Sequence, residues 1–121
     1  MNALLAELEQ MLQQLLERGE SSYLTLSELS LSAAARAKLR QALGTDAPVR
    51  IEADLEQKVR IIACEIPAIW WVVHYDERDN RTDEFIEVNF FPDIATADEE
   101  QIESSIAILR AELFARSRRY R

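Results

Sequence analysis

Cysteine and histidine each occur only once in this chain, as Cys64 and His74. A lone cysteine allows no intrachain disulfide, which fits a reducing, cytoplasmic location. A lone histidine leaves no histidine cluster to hold a metal, so no metal site and no bound cofactor are expected. Glycine occurs only at Gly19 and Gly44, too sparsely for a phosphate-cradling loop. With only three prolines as well, long disordered segments are not expected.

Positive charge is also in deficit. Fourteen Lys and Arg stand against 22 Asp and Glu, a net charge of −8. That opposes binding to nucleic acid phosphates. The one basic cluster, Arg116 to Arg121, reads as a helix C-terminus and tail, where cations suit the helix dipole; a short RNA-binding tail is the alternative. No apolar run reaches the roughly 20 residues of a membrane span, so no membrane partner is expected. The N-terminus lacks a basic region, apolar core and cleavage site, so no signal peptide is expected either.

A chain of 121 residues predicts a single domain, 1–121. Leu4, Leu8, Leu12 and Leu15, with Leu5, Met11 and Leu16, recur at helical spacing over 3–18. Asn2 can cap this helix, and Gly19 fits just past its end. Tyr23 to Leu26 reads as a brief edge strand, followed by a serine-rich turn from Ser27 to Ser32. Ser32 is a suitable N-cap for a helix from Ala33 to Leu43, with Leu39 and Leu43 inward and Gly44 as its stop. Thr45 to Pro48 is the loop out. Val49 to Ala53 alternates as a strand, and Asp54 to Gln57 turns it into the next.

The chain is organised around Lys58 to Phe91. Val59 to Cys64, Ile69 to Tyr75 and Phe85 to Phe91 are apolar, β-branched and aromatic, as strands require. Pro67 cannot donate to a ladder, so Ile66-Pro67-Ala68 is the first turn. The apolar-free Asp76 to Asp83 is the second. Beyond Pro92, a last helix runs from about Ala97 to Arg116. Thr96 with Glu99, or Asp98 with Gln101, has capping-box spacing. Ile102, Ile106, Leu109 and Leu113 form the stripe expected to be buried. The fold class is therefore α+β: an antiparallel meander of about four strands, with a short extra edge strand, and three helices packed mainly on one face.

Hairpins centred on Pro67-Ala68 and Asp79-Asn80 sort the side chains by parity. Ile62, Cys64, Ile69, Trp71, Val73, Tyr75, Ile86, Val88 and Phe90 share one face, almost wholly apolar and assigned to the core. Ile61, Ala63, Trp70, Val72, His74, Phe85, Glu87, Asn89 and Phe91 share the other. Its mixture of large apolar and polar groups either marks a protein-interaction surface or is covered by another element. A one-residue slip would exchange the faces.

Catalytic chemistry is not evident. Cys64 and His74 fall on opposite faces. Cys64 reads as a small buried hydrophobe and His74 as structural. The many carboxylates read as solvated, with nothing to raise a pKa for acid–base work. From Asp76 to Glu103 there are eleven acidic residues and two basic ones, Arg78 and Arg81. Such a rim either steers a basic partner segment or simply keeps the chain soluble.

Several stretches together resemble the C-terminal domain of the hydrogenase expression protein family of HupH, HyaF and HoxQ type. They are Leu12-x-x-Leu15-Leu16-x-x-Gly19-Glu20, Leu24 to Leu31, Leu39-x-x-x-Leu43-Gly44, Glu65-x-x-x-Ala68-Ile69-Trp70 with Val72, and Ile86-Glu87-Val88 ending in Pro92. The chain departs from the pattern at Thr45-Asp46-Ala47, where the family has a glycine-rich loop, and at Ala68, where it has glycine. The resemblance implies a non-catalytic, chaperone-like factor in nickel–iron hydrogenase maturation. Its partner would be the hydrogenase small-subunit precursor, around iron–sulfur cluster insertion, or other maturation factors. Trp70, His74, Phe85, Glu87 and Asn89 are the protein-binding residues this reading selects. The alternatives are a homodimeric structural module, joined through the first helix or the open sheet face, and a small-molecule sensor with Trp70 and Trp71 lining a pocket.

Overall fold

A computed structural model of the chain describes residues 1–46, 49–54 and 57–119. The loop expected at Thr45 to Pro48, the turn at Asp54 to Gln57 and the end of the basic tail lie partly outside these residues.

In order, the elements are α1 (Asn2–Arg18), β1 (Ser22–Thr25), α2 (Ala33–Leu43), β2 (Arg50–Asp54), β3 (Lys58–Ala63), β4 (Ile69–Tyr75), β5 (Arg81–Val88) and α3 (Glu99–Arg119). Short 3₁₀ turns follow β1 and precede α3. The strands form one five-stranded antiparallel sheet in the order β1-β5-β4-β3-β2. The expected meander is β2 to β5, and β1 is the short extra strand, paired with β5.

The register differs from simple hairpins on the expected centres. Ala63 lies opposite Trp70 rather than Val72, and Ile69 opposite Val88 rather than Phe90. Both shifts are even, so every side chain keeps its face. Ala68 and Asp79, at φ 69° and 62°, take left-handed turn conformations, and a bulge at His74/Tyr75 absorbs one residue. β5 ends at Val88, earlier than expected. Beyond it the Asn89 carboxamide oxygen accepts from the Phe90 N–H at 2.8 Å, which turns the chain out of the ladder.

α1 and α2 cover the face carrying Leu24, Ile69, Trp71, Val73, Ile86 and Val88. Leu8, Met11, Leu15, Leu39 and Leu43 complete this core. Asn2 sits inside α1 and makes no cap. Met1 takes the N-cap position instead, and its carbonyl accepts from the Leu5 N–H. Leu16 is exposed, so the buried stripe of α1 is narrower than its leucine content suggests. Ser32 caps α2 as expected, accepting from the Ala35 N–H at 3.1 Å.

Asp98 and Gln101 form the reciprocal box at the start of α3, with bonds of 2.7 and 2.9 Å. Thr96 instead donates to the Pro92 carbonyl. The α3 stripe corrects an expectation. Ile102, Ile106, Leu109 and Leu113 are all exposed rather than buried, so α1 and α2 alone build the helical layer over the sheet.

Candidate functional site

The face opposite α1 and α2 holds the five residues selected from the sequence. Trp70 and His74 project from β4, Phe85 and Glu87 from β5, and Asn89 follows β5. Aromatic rings line this side. Phe85 sits 5.5 Å from Tyr23 of β1, edge to face, and 5.5 Å from His74, tilted. Trp70 meets Phe91 edge to face at 5.5 Å.

The face is not uniformly open. Over β3 and β4, Val59, Ile61, Trp70 and Val72 form a second buried apolar cluster. Glu87 and Asn89 are buried too, while His74 and Phe85 are half-buried. The accessible part is the β1–β5 side and the chain beyond it, where Tyr23, Phe90 and Phe91 are exposed. Exposed Phe90 belongs by parity to the core face, but it follows Asn89 out of the ladder.

A polar network explains the buried members. Glu87 accepts from the Asn89 side-chain amide and from the Asp93 N–H, both at 2.9 Å. Asn89 also donates to Asp93 at 2.8 Å, and the Trp70 indole donates to the Asn89 carbonyl at 3.0 Å. Tyr23 donates its hydroxyl proton to the Asp93 carboxylate. Although the residue is half exposed, desolvation at its hydroxyl, this hydrogen bond and the nearby Glu87 and Asp93 charges push the Tyr23 pKa above its ordinary value, so it stays protonated as a donor. The network pins 89–95, the segment that launches α3, against the sheet.

Sequence reasoning missed a second charged centre, on the core face. Glu84 is 4% exposed and sits 3.1 Å from Arg36, 3.7 Å from Arg40 and 3.6 Å from Arg81. Arg40 also stacks over Trp71, 5.2 Å from the ring. Two signals pointed to it: Glu84 shares parity with Ile86 and Val88, and Arg36 and Arg40 lie one helical turn apart on α2.

Cys64 is buried among the core residues, and burial pushes its thiol up to about 11, so it is no nucleophile. A cleft of about 630 Å³ beside β2 and β3 is lined by Glu52, Lys58, Arg60 and Asp79 among others, and not by Trp70 or Trp71. Four of its charged groups pair with one another, Lys58 with Asp79 and Arg60 with Glu52. Among the described residues no group of three His, Cys, Asp or Glu gathers as a metal site, and no helix is long and apolar enough to cross a membrane.

The fold is thus α+β, with a two-helix layer on one sheet face and an aromatic surface on the other. Residues 1–115 match the family described as HupH hydrogenase expression protein, C-terminal conserved region, and the chain belongs to that family. It is also similar to a solved structure, the hydrogenase expression protein HupH from Thiobacillus denitrificans. The two share 28% identity and a TM-score of 0.79, over 93% of this chain and 92% of that one. No curated protein matches the chain at a significant level.

Proposed function

We propose that this protein is a non-catalytic accessory factor of nickel–iron hydrogenase maturation. It binds the immature small subunit in the cytoplasm, around iron–sulfur cluster insertion. Membership in the HupH family carries this reading.

The aromatic face is the surface that would meet the client. Its accessible groups are Tyr23, His74, Phe85, Phe90 and Phe91, while Trp70, Glu87 and Asn89 set their positions from beneath. Exposed aromatics of this kind anchor protein interfaces. The acidic tip of the β4–β5 hairpin and the acidic start of α3 favour a basic client segment, such as the twin-arginine export signal of a small-subunit precursor.

The test is capture of the small-subunit precursor by tagged protein from hydrogenase-expressing cells, at low and moderate salt, with mass spectrometry. Capture that weakens with salt, and that the Phe85→Ala/Phe91→Ala variant loses while keeping its circular dichroism, is the expected result. Glu77→Lys at the tip should reduce capture at low salt. Failure of the folded wild-type protein to retain any hydrogenase precursor overturns the proposal.

A further inference from the structure

α3 has no place in the packed body. From Glu99 to Arg118 every residue is exposed except half-buried Ala115. The chain presents 9005 Å² of accessible surface. A compact monomer of 13.9 kDa should expose roughly 6,700 Å². Burying half of that roughly 2,300 Å² excess in each of two copies would remove about 2,300 Å² in total, within the range of stable homodimers. A helix packed on nothing also forgoes the burial of an apolar face, from which most helical stability in proteins comes.

The stripe indicates what covers it. Ile102, Ile106, Leu109 and Leu113 are spaced four, three and four apart, the heptad seam of a helix pair. Pairing α3 with a second α3 in antiparallel sense sets Ile106 opposite the partner's Leu109, and Ile102 opposite the partner's Leu113. Glu103 and Arg110, seven residues apart, both flank this seam. Antiparallel pairing places each Glu103 beside the partner's Arg110, twice in the dimer. Neither residue has an ion-pair partner within the chain among the described residues. Parallel pairing would instead oppose Asp98 and Glu103, two like charges.

The antiparallel arrangement also brings the far end of the partner's helix, with exposed Phe114, to the start of α3. Exposed Phe90, Phe91 and Ile94 lie just before that point in the chain. The apolar surface is then continuous, and the contact is isologous and closed.

We infer that α3 is a dimerisation element, pairing antiparallel with α3 of a second copy of this chain. The test is sedimentation equilibrium of the full chain over a range of concentrations. Wild type should sediment at twice 13.9 kDa, and Ile106→Asp/Leu109→Asp as a monomer with its near-ultraviolet circular dichroism retained. Glu103→Arg or Arg110→Glu alone should each weaken the dimer roughly tenfold, and the double exchange should restore it to within about threefold. These two positions are exposed, so the series remains decisive even if the Asp variant misfolds. A wild-type monomer at all concentrations, a dimer indifferent to α3 substitutions, or a Glu103→Arg variant that dimerises more tightly overturns the inference.

Discussion

Trp71 and Glu84 project from neighbouring strands into the same core, and the indole N–H donates to the carboxylate at 3.0 Å. Three guanidinium groups within 3.1 to 3.7 Å neutralise that carboxylate. Removing it leaves a buried donor without an acceptor and cations without a counter-charge. Glu84→Ala should lower unfolding stability by about 2–3 kcal/mol, below the usual loss for a broken buried pair because Arg36 and Arg40 are about a third exposed. Glu84→Gln, which keeps an acceptor for Trp71, should lose less. Urea denaturation of the two variants checks the order.

Ala68 is the reverse case, a residue in a conformation better suited to glycine. Its φ of 69° costs an L-residue about 1–2 kcal/mol, more than the unfolded-chain entropy that alanine saves. Ala68→Gly is expected to stabilise the protein by about 0.5–1 kcal/mol, seen as a higher thermal midpoint. A lower midpoint would mean that the methyl group's contact with the core outweighs the backbone strain.

Cys64 should resist alkylation near neutral pH in the native protein, because burial suppresses its thiolate. Iodoacetamide followed by mass spectrometry should find it unlabelled until urea is added. Labelling of the folded protein would show that the β3–β4 turn opens.

Acid should loosen the hairpin tip before the sheet. Asp76 accepts from the Asn80 and Arg78 N–H groups at 2.9 and 2.8 Å, and these bonds hold its carboxyl below the usual value. Its contribution is therefore present above the unfolded-state pKa and fades as pH falls through the lower folded-state value. The protection of the Arg78 and Asn80 amides, taken relative to their intrinsic exchange rates at each pH, should fall through that interval. Asp76→Ala should lack this protection already at neutral pH.

The division of the sheet into two faces was legible in the parity of residues about the two turns, because the period of two survives an even shift of register. The register itself was not. It depends on the left-handed turns at Ala68 and Asp79 and on the bulge at His74/Tyr75, none of which leaves a mark in hydrophobic periodicity. Trp70, His74, Phe85, Glu87 and Asn89 do lie on one face. The burial of Glu87 and Asn89 was hidden, because it arises when Asp93 folds back onto them from beyond the strand. The stripe of α3 was plain in the sequence, but periodicity shows only that a face is apolar and not what lies against it.

The pairing of β1 with β5 sets Ser22 against Val88, joining the first strand residue to the last. During synthesis, then, β1 has no partner until β5 has left the ribosome, and Leu24 and Leu26 have no finished core to enter. Non-local pairing of this kind delays closure. Leu24 and Leu26 therefore stay exposed while the residues between β1 and β5 are being made, and the sheet closes only as its last strand arrives.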